Sequence, residues 1–229
     1  MKITFYGHAC FGVEIAGEHL LFDPFITGNE LASGIDISTI PADYILLSHG
    51  HEDHVLDAEA IAKRTGAKII ATFEIVNWYL EKGVDGHSMN LGGSWQFPFG
   101  KVKFVTAIHS SVLPDGTNGG NPGGFVIESE EGNFYFAGDT ALTYDMKLIP
   151  MTCAPLDFAV LPIGDNFTMG YNDAAIAADW VEANKVLACH YDTFGYIVVD
   201  KEEAKKAFAK RGQDLIFMKI GESIDKNDL

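Results

Sequence analysis

Along the chain, short apolar runs alternate with polar stretches punctuated by glycine, and each run predicts an element. Residues 3–6, 10–15 and 20–22 read as successive strands, with Ala16-Gly17-Glu18-His19 as the hairpin turn between the last two. Residues 44–47 form an apolar run of the buried-strand kind. Residues 57–64 carry helical spacing and close at Gly66; 68–72 reads as a strand and 74–80 as a helix stopped near Gly83. Four strands follow at 94–97, 102–107, 125–128 and 134–137. Helices over 142–151, 174–183 and 201–210 then alternate with strands at 158–161, 186–189 and 215–217. Strand-rich stretches with helices inserted between them predict an α/β architecture of two packed sheets with helices on the outer faces. No linker-like composition shift, low-complexity segment or solenoid-period repeat divides the chain, so a single domain over residues 1–229 is expected.

The polar positions at the ends of these runs carry the chemistry. His49, His109, Asp139 and His190 each fall just beyond a predicted strand. Side chains at strand ends converge on one sheet edge, where loops build sites on a rigid scaffold. The segment His49-Gly50-His51-Glu52-Asp53-His54 places three imidazoles and two carboxylates within six residues, a cluster costly to bury without a metal. Zinc and similar ions take such ligands at about 2.0–2.2 Å. Residues two apart cannot share a helical face. An extended turn after a strand carries His49 and His51 to one side, and Gly50 permits a close backbone approach. Asp53 and His54 would then open the next helix and face a second centre. The alternative, a solvated polar loop, leaves unexplained why His109, Asp139 and His190 also terminate strands.

Composition narrows the function. Hydrophobic residues make up 47% and charged residues 21%, as in a globular protein with a large core. No stretch approaches the ~20 consecutive apolar residues that span a bilayer, so no membrane association is expected. The start, Met-Lys-Ile-Thr-Phe-Tyr, reads as a strand and not as a charged region followed by an apolar one, which points to the cytoplasm. Cys10, Cys153 and Cys189 form no Cys-x-x-Cys pair and read as packing residues in a reducing compartment. The net charge of −16 repels polyanions and disfavours a nucleic-acid partner. The glycine-rich run 115–124 lacks the Gly-Lys-Ser/Thr of a phosphate-cradling loop. Its place between His109 and the next strand fits a mobile flap, with plain loop closure as the alternative.

His-x-His-x-Asp-His after an apolar strand, then His109, Gly138-Asp139-Thr140 and His190 in that order, resembles the metallo-β-lactamase superfamily over nearly the whole chain. Gly7-His8-Ala9-Cys10-Phe11, Asp23-Pro24-Phe25, Gly164-Asp165-Asn166-Phe167-Thr168-Met169-Gly170 and His190-Tyr191-Asp192-Thr193-Phe194 look like its small metal-dependent hydrolases, related to lactonases acting on ascorbate 6-phosphate. The resemblance implies a four-layer αββα sandwich of two mixed β-sheets flanked by helices. It implies that His49, His51 and His109 hold one divalent ion, that Asp53, His54 and His190 hold a second, and that Asp139 bridges them. Zinc is the first expectation, with manganese or iron as alternatives. Two such ions about 3.5–4 Å apart would share a water and lower its pKa towards 7, with Asp53 guiding the proton.

The resemblance gives Asp23 the task of supporting a metal-binding imidazole from behind; a turn Asp before proline is the alternative. It places His8 at the rim of the site, against a purely structural histidine. Asp165, Thr168 and Thr193 could wall the substrate pocket or merely shape their turns, and Phe167 and Phe194 could line its apolar part or pack in the core. His19 and His87 read as surface residues. The expected activity is hydrolysis of a small-molecule ester, lactone or phosphoester, with a nuclease or phosphodiesterase as the alternative. Di-iron redox relatives carry Glu where this chain has His51 and need a flavodoxin-like domain, and a non-catalytic metal binder sits poorly with a full ligand set. None of the 16 Lys and Arg residues falls within these motifs, so no phosphate clamp is legible.

Overall fold

The computed structural model describes residues 1–229. Strands β1 to β6 are Lys2–Gly7, Cys10–Ile15, Glu18–Phe22, Tyr44–Leu46, Lys68–Thr72 and Gly86–Met89. Strands β7 to β13 are Ser94–Phe97, Gly100–Thr106, Gly123–Ser129, Gly132–Phe136, Phe158–Pro162, Lys185–Cys189 and Asp214–Ile216, and β14 is Ser223–Asp225. They form two seven-stranded sheets, ordered β14-β1-β2-β3-β4-β5-β6 and β13-β12-β11-β10-β9-β8-β7. In both, the hairpin-connected part (β1-β2-β3; β7-β8-β9-β10) is antiparallel, and the part built by crossovers (β3-β4-β5-β6; β10-β11-β12-β13) is parallel.

The period of two along each strand decides the layers. Leu20, Phe22, Leu46 and Ile70 point between the sheets, against Phe104, Phe125, Phe134 and Phe136. Their neighbours Leu21, Ile45, Ile69 and Ala71 point outward, beneath α2 (Ala58–Thr65) and α3 (Phe73–Leu80), which follow the single turn α1 (Glu52–Val55). In the second sheet, Phe158, Val160 and Leu187 face inward. Ala159, Leu161, Val186 and Ala188 face α4 (Leu148–Thr152), α5 (Tyr171–Trp180) and α6 (Lys201–Ala209). The result is the expected αββα sandwich. Each fully buried Phe or Leu in it contributes about 1.5–3 kcal/mol. No helix is long and apolar enough to cross a membrane.

Several local expectations are corrected. The turn between β2 and β3 uses only Ala16 and Gly17, both in the left-handed region at φ 51° and 79°, so Glu18 and His19 join β3. Such a two-residue turn matches the right-handed twist of its strands. The helix expected over 142–151 is a 3₁₀ turn, Tyr144–Lys147, running into the short α4. The helix expected over 174–183 begins at Tyr171 and ends at Trp180. Strands β6 and β14 went unpredicted because Gly-His-Ser-Met and Ser-Ile-Asp are short, polar edge strands with one neighbour each.

Candidate metal centre

Strand direction brings the polar termini together. In the first sheet β1 runs antiparallel to β2, and β2 to β3, so β1, β3 and the parallel β4 all finish at one edge. The same reasoning aligns the ends of β8, β10 and β12 in the second sheet. His8, Asp23 and His190 follow their strands in the left-handed region, at φ 54°, 40° and 52°. Non-glycine residues hold that conformation only where the surroundings over-determine it, as at functional sites.

One group of donors comprises His49, His51 and His109; another comprises His8, Asp53, His54 and His190. Asp139 Oδ2 lies between them, 3.6 Å from His109 Nε2, 4.0 Å from His49 Nε2, 3.3 Å from His54 Nε2 and 3.0 Å from His190 Nε2. Asp53 Oδ2 lies 3.8 Å from His54 Nε2 and 3.7 Å from His190 Nε2.

Asp23, fully buried, organises both groups from behind. Its carboxylate accepts the Ser48 N–H at 2.8 Å and the Ser48 hydroxyl at 2.5 Å, and it lies 2.8 Å from His54 Nδ1. The hydroxyl has one proton and spends it on Asp23, so His49 Nδ1, 3.0 Å away, donates to the Ser48 oxygen. Neutral His49 and His54 therefore carry N–H at Nδ1 and a lone pair at Nε2, the atom facing Asp139. Ser48, for which the sequence offered only its place at the strand end, is thus part of the site.

Burial lowers the pKa of His49, His51 and His109. Burial pulls on His54 and His190 too, but Asp139 outweighs it, with Asp53 and Asp23 also raising His54; His54 stands well above its ordinary value and His190 at about 9. Burial alone would raise Asp139 and Asp53, yet the facing imidazoles hold both below the usual carboxylate range.

Three observations test whether this donor set fits metal ions. His49 Nε2 and His51 Nδ1 face each other at 3.0 Å. The buried atoms His54 Nε2, His190 Nε2 and Asp139 Oδ1 have no aligned hydrogen-bond partner. The set is five neutral-capable imidazoles and two carboxylates, the ligand chemistry of zinc and its neighbours. Orphaned buried polar atoms are costly, and cations among them would satisfy them. The residues fit.

His8 is buried within the site: its Nε2 is 3.1 Å from Asp53 Oδ2 and its Nδ1 2.9 Å from Thr193 Oγ1. Burial lowers its pKa to about 4, and its Nε2–H donates to Asp53. Phe25 and Phe194 pack edge-on against its ring, whereas Phe167 is exposed beside Tyr196. Asp165 is exposed and binds the Asn166 N–H; with the Thr168 hydroxyl on the Met169 carbonyl, it shapes its own turn. His19 pairs with Asp43, and His87 packs on Trp95 and Phe97; both lie at the surface, partly covered.

The glycine-rich run packs against the turn that carries His49 and His51 and is tied down at several points. Thr72 Oγ1 donates to the Gly119 carbonyl at 2.8 Å, Trp78 Nε1 to Asp115 at 2.6 Å, and Gly119 N–H to the Ser111 carbonyl at 3.1 Å. The Gly50 N–H in turn donates to Ser111 Oγ at 3.1 Å. A Cβ on Gly119 would collide with Ser111 Oγ and lie 3.3 Å from Gly50 Cα, so only glycine lets the loop approach the His49–His51 turn this closely.

Residues 2–190 match a family described as a beta-lactamase superfamily domain. A "UPF0173 metal-dependent hydrolase" of Christiangramia forsetii is 63% identical over 98% of this chain and 100% of its own length. The similarly described YtkL of Bacillus subtilis is 45% identical, again over 98% of this chain and 100% of its own. Among solved structures, Igni18, a metallo hydrolase from the archaeon Ignicoccus hospitalis, superposes with a TM-score of 0.88 at 33% identity, covering 97% of each chain.

Proposed function

The chain belongs to the metallo-β-lactamase superfamily and is a metal-dependent hydrolase; on that premise we propose that it works with two divalent cations, zinc first, on a small-molecule ester, lactone or phosphoester. The observation that carries the two-cation reading is the position of Asp139. Its Oδ2 lies within 3.6 Å of His109 in one donor group and 3.0 Å of His190 in the other. Bound there, two divalent cations would lower the pKa of a shared water from 15.7 towards 7 and polarise the oxygen of the bond being broken.

The side chains do the rest. His49, His51 and His109 would hold one cation and Asp53, His54 and His190 the other, with Asp139 available to both groups. Asp23 and Ser48 keep the Nε2 lone pairs of His54 and His49 turned inward. Asp53 remains partly exposed at the mouth of the site. It is the carboxylate placed to pass a proton to the leaving group, and His8 holds it in that orientation. The net charge of −16 favours a small substrate over a polyanion. The three free cysteines suit the reducing cytoplasm, where we place the protein.

The test is turnover by zinc-loaded protein on a panel of lactones, thioesters, phosphomonoesters, phosphodiesters and short RNA. At least one small molecule should be hydrolysed, with activity lost on chelation and restored by zinc. Undiminished activity after the metal is removed, or RNA cleaved faster than every small molecule, would refute the reading.

A further inference from the structure

Beside the metal centre lies a cavity of about 520 Å³, bounded by His8 and Thr193 at its inner end and by Leu31, Phe217, Lys201 and Lys219 further out. Its size suits a small organic ligand. Its inner end is the same His8 whose Nε2 is 3.1 Å from Asp53, so a ligand filling it ends one side chain away from the donor cluster.

The charge of its wall runs against that of the chain. Most of the 16 cationic side chains are tied to carboxylates. In this cavity two lysines meet one carboxylate, Asp192, which holds Lys201 Nζ at 3.0 Å. Lys201 Nζ also sits 5.1 Å from the Tyr191 ring centre and 5.7 Å from that of Phe217, fixing it against the wall. Lys219 Nζ has no carboxylate within 4.0 Å, while Glu222 accepts the Lys219 backbone N–H at 2.7 Å. Two lysines therefore border a cavity whose other walls are largely apolar.

We propose that this cavity is the substrate-specificity subsite and that it takes a small molecule with an apolar body and a terminal anionic group, a carboxylate or phosphate, held by Lys219 and Lys201. The assignment rests on the hydrolase reading for the identity of its occupant. It adds the cationic recognition that the motifs themselves lack. With its anionic end against the lysines, the other end of the occupant lies against His8, the neighbour of Asp53.

The test is equilibrium titration of the zinc-loaded protein with three probes that share a benzyl group: phenylacetate, benzylphosphonate and benzyl alcohol. At least one anionic probe should bind tenfold or more tightly than the alcohol, and which one does so separates carboxylate from phosphate. Lys219→Gln should remove about that factor for the anion while moving the alcohol less than twofold; Lys201→Gln should act in the same direction. Lys210→Gln, at the far end of α6, should leave all three affinities unchanged. Both cavity lysines are exposed, and circular dichroism checks that each variant folds like the parent. Anionic probes that bind the double variant Lys201→Gln/Lys219→Gln as tightly as the parent would overturn the proposal, because the anion would then be held by the metal ions. Equal affinity for alcohol and anions in the parent would overturn it as well. Lysine-dependent anion binding in a protein that hydrolyses nothing on the panel would leave the subsite standing and remove the hydrolase reading instead.

Discussion

His49, His51 and His109 form one half of the cluster, and Asp53, His54 and His190 the other. The same side chain has opposite proton affinities in the two. Behind the first half stand hydroxyls: Ser48 at His49 Nδ1, and Ser110 at 3.3 Å from His51 Nε2. Burial then dominates, and these imidazoles are neutral at pH 7. The second half contains a carboxylate of its own, Asp53, and has Asp23 directly against His54. There the carboxylates outweigh burial and keep protons on His54 and His190. The first half thus offers lone pairs ready for a cation, whereas the second must give up protons as a cation arrives. Asp139 is the one carboxylate within 4.0 Å of imidazoles in both halves.

The largest effect should come from removing that shared ligand. Asp139→Ala should lose both ions and at least about a thousandfold in kcat/KM, matching several kcal/mol of lost charge stabilisation. Metal analysis beside turnover and circular dichroism checks it, and full activity would break the two-half description. Next, His51→Ala and His190→Ala should each reduce the metal-to-protein ratio from two to one. Loss of both ions in either variant would show that the halves do not fill separately.

Acid should separate the halves without mutation. With the folded pKa of His190 at about 9, a proton competes with the cation at every pH below that value. Affinity in the second half should therefore fall by about tenfold per pH unit for each such imidazole. The first-half imidazoles, with pKa values below 6.5, feel this competition only in acid. Titrating from pH 8 to 6 at limiting zinc should take the ratio from two towards one, and simultaneous release of both ions would contradict the pKa assignment. The smallest effect is expected from Gly119→Ala. It should cost about 1–3 kcal/mol of stability through overpacking and weaken zinc binding in the first half only. Thermal unfolding together with competition against a chelator would register it.

Two packed sheets with outer helices were legible because the order of apolar runs and helices is local, and the resemblance supplied the four-layer arrangement. Which of Leu20, Leu21 and Phe22 faces the other sheet was not, because all three are apolar. That His49, His109, Asp139 and His190 would meet was legible because strand ends can be read from where apolar runs stop. The polar edge strands β6 and β14 carried too weak a pattern. The anchors of the glycine-rich loop, Thr72 and Trp78, were not legible because they come from another part of the chain.

By itself, then, the sequence determined the layers, the edge at which the site lies and the residue types available there. Tertiary structure alone decided what stands behind each of them. His54 meets Asp23 across 31 residues, and His8 meets Thr193 across 185. Lys219 comes to share a cavity wall with His8 although no motif contains it. The physical reason is range. The order of apolar runs is written residue by residue, but the proton affinity of an imidazole and the neutralisation of a lysine depend on charges within a few ångströms, and only the folded chain sets those distances.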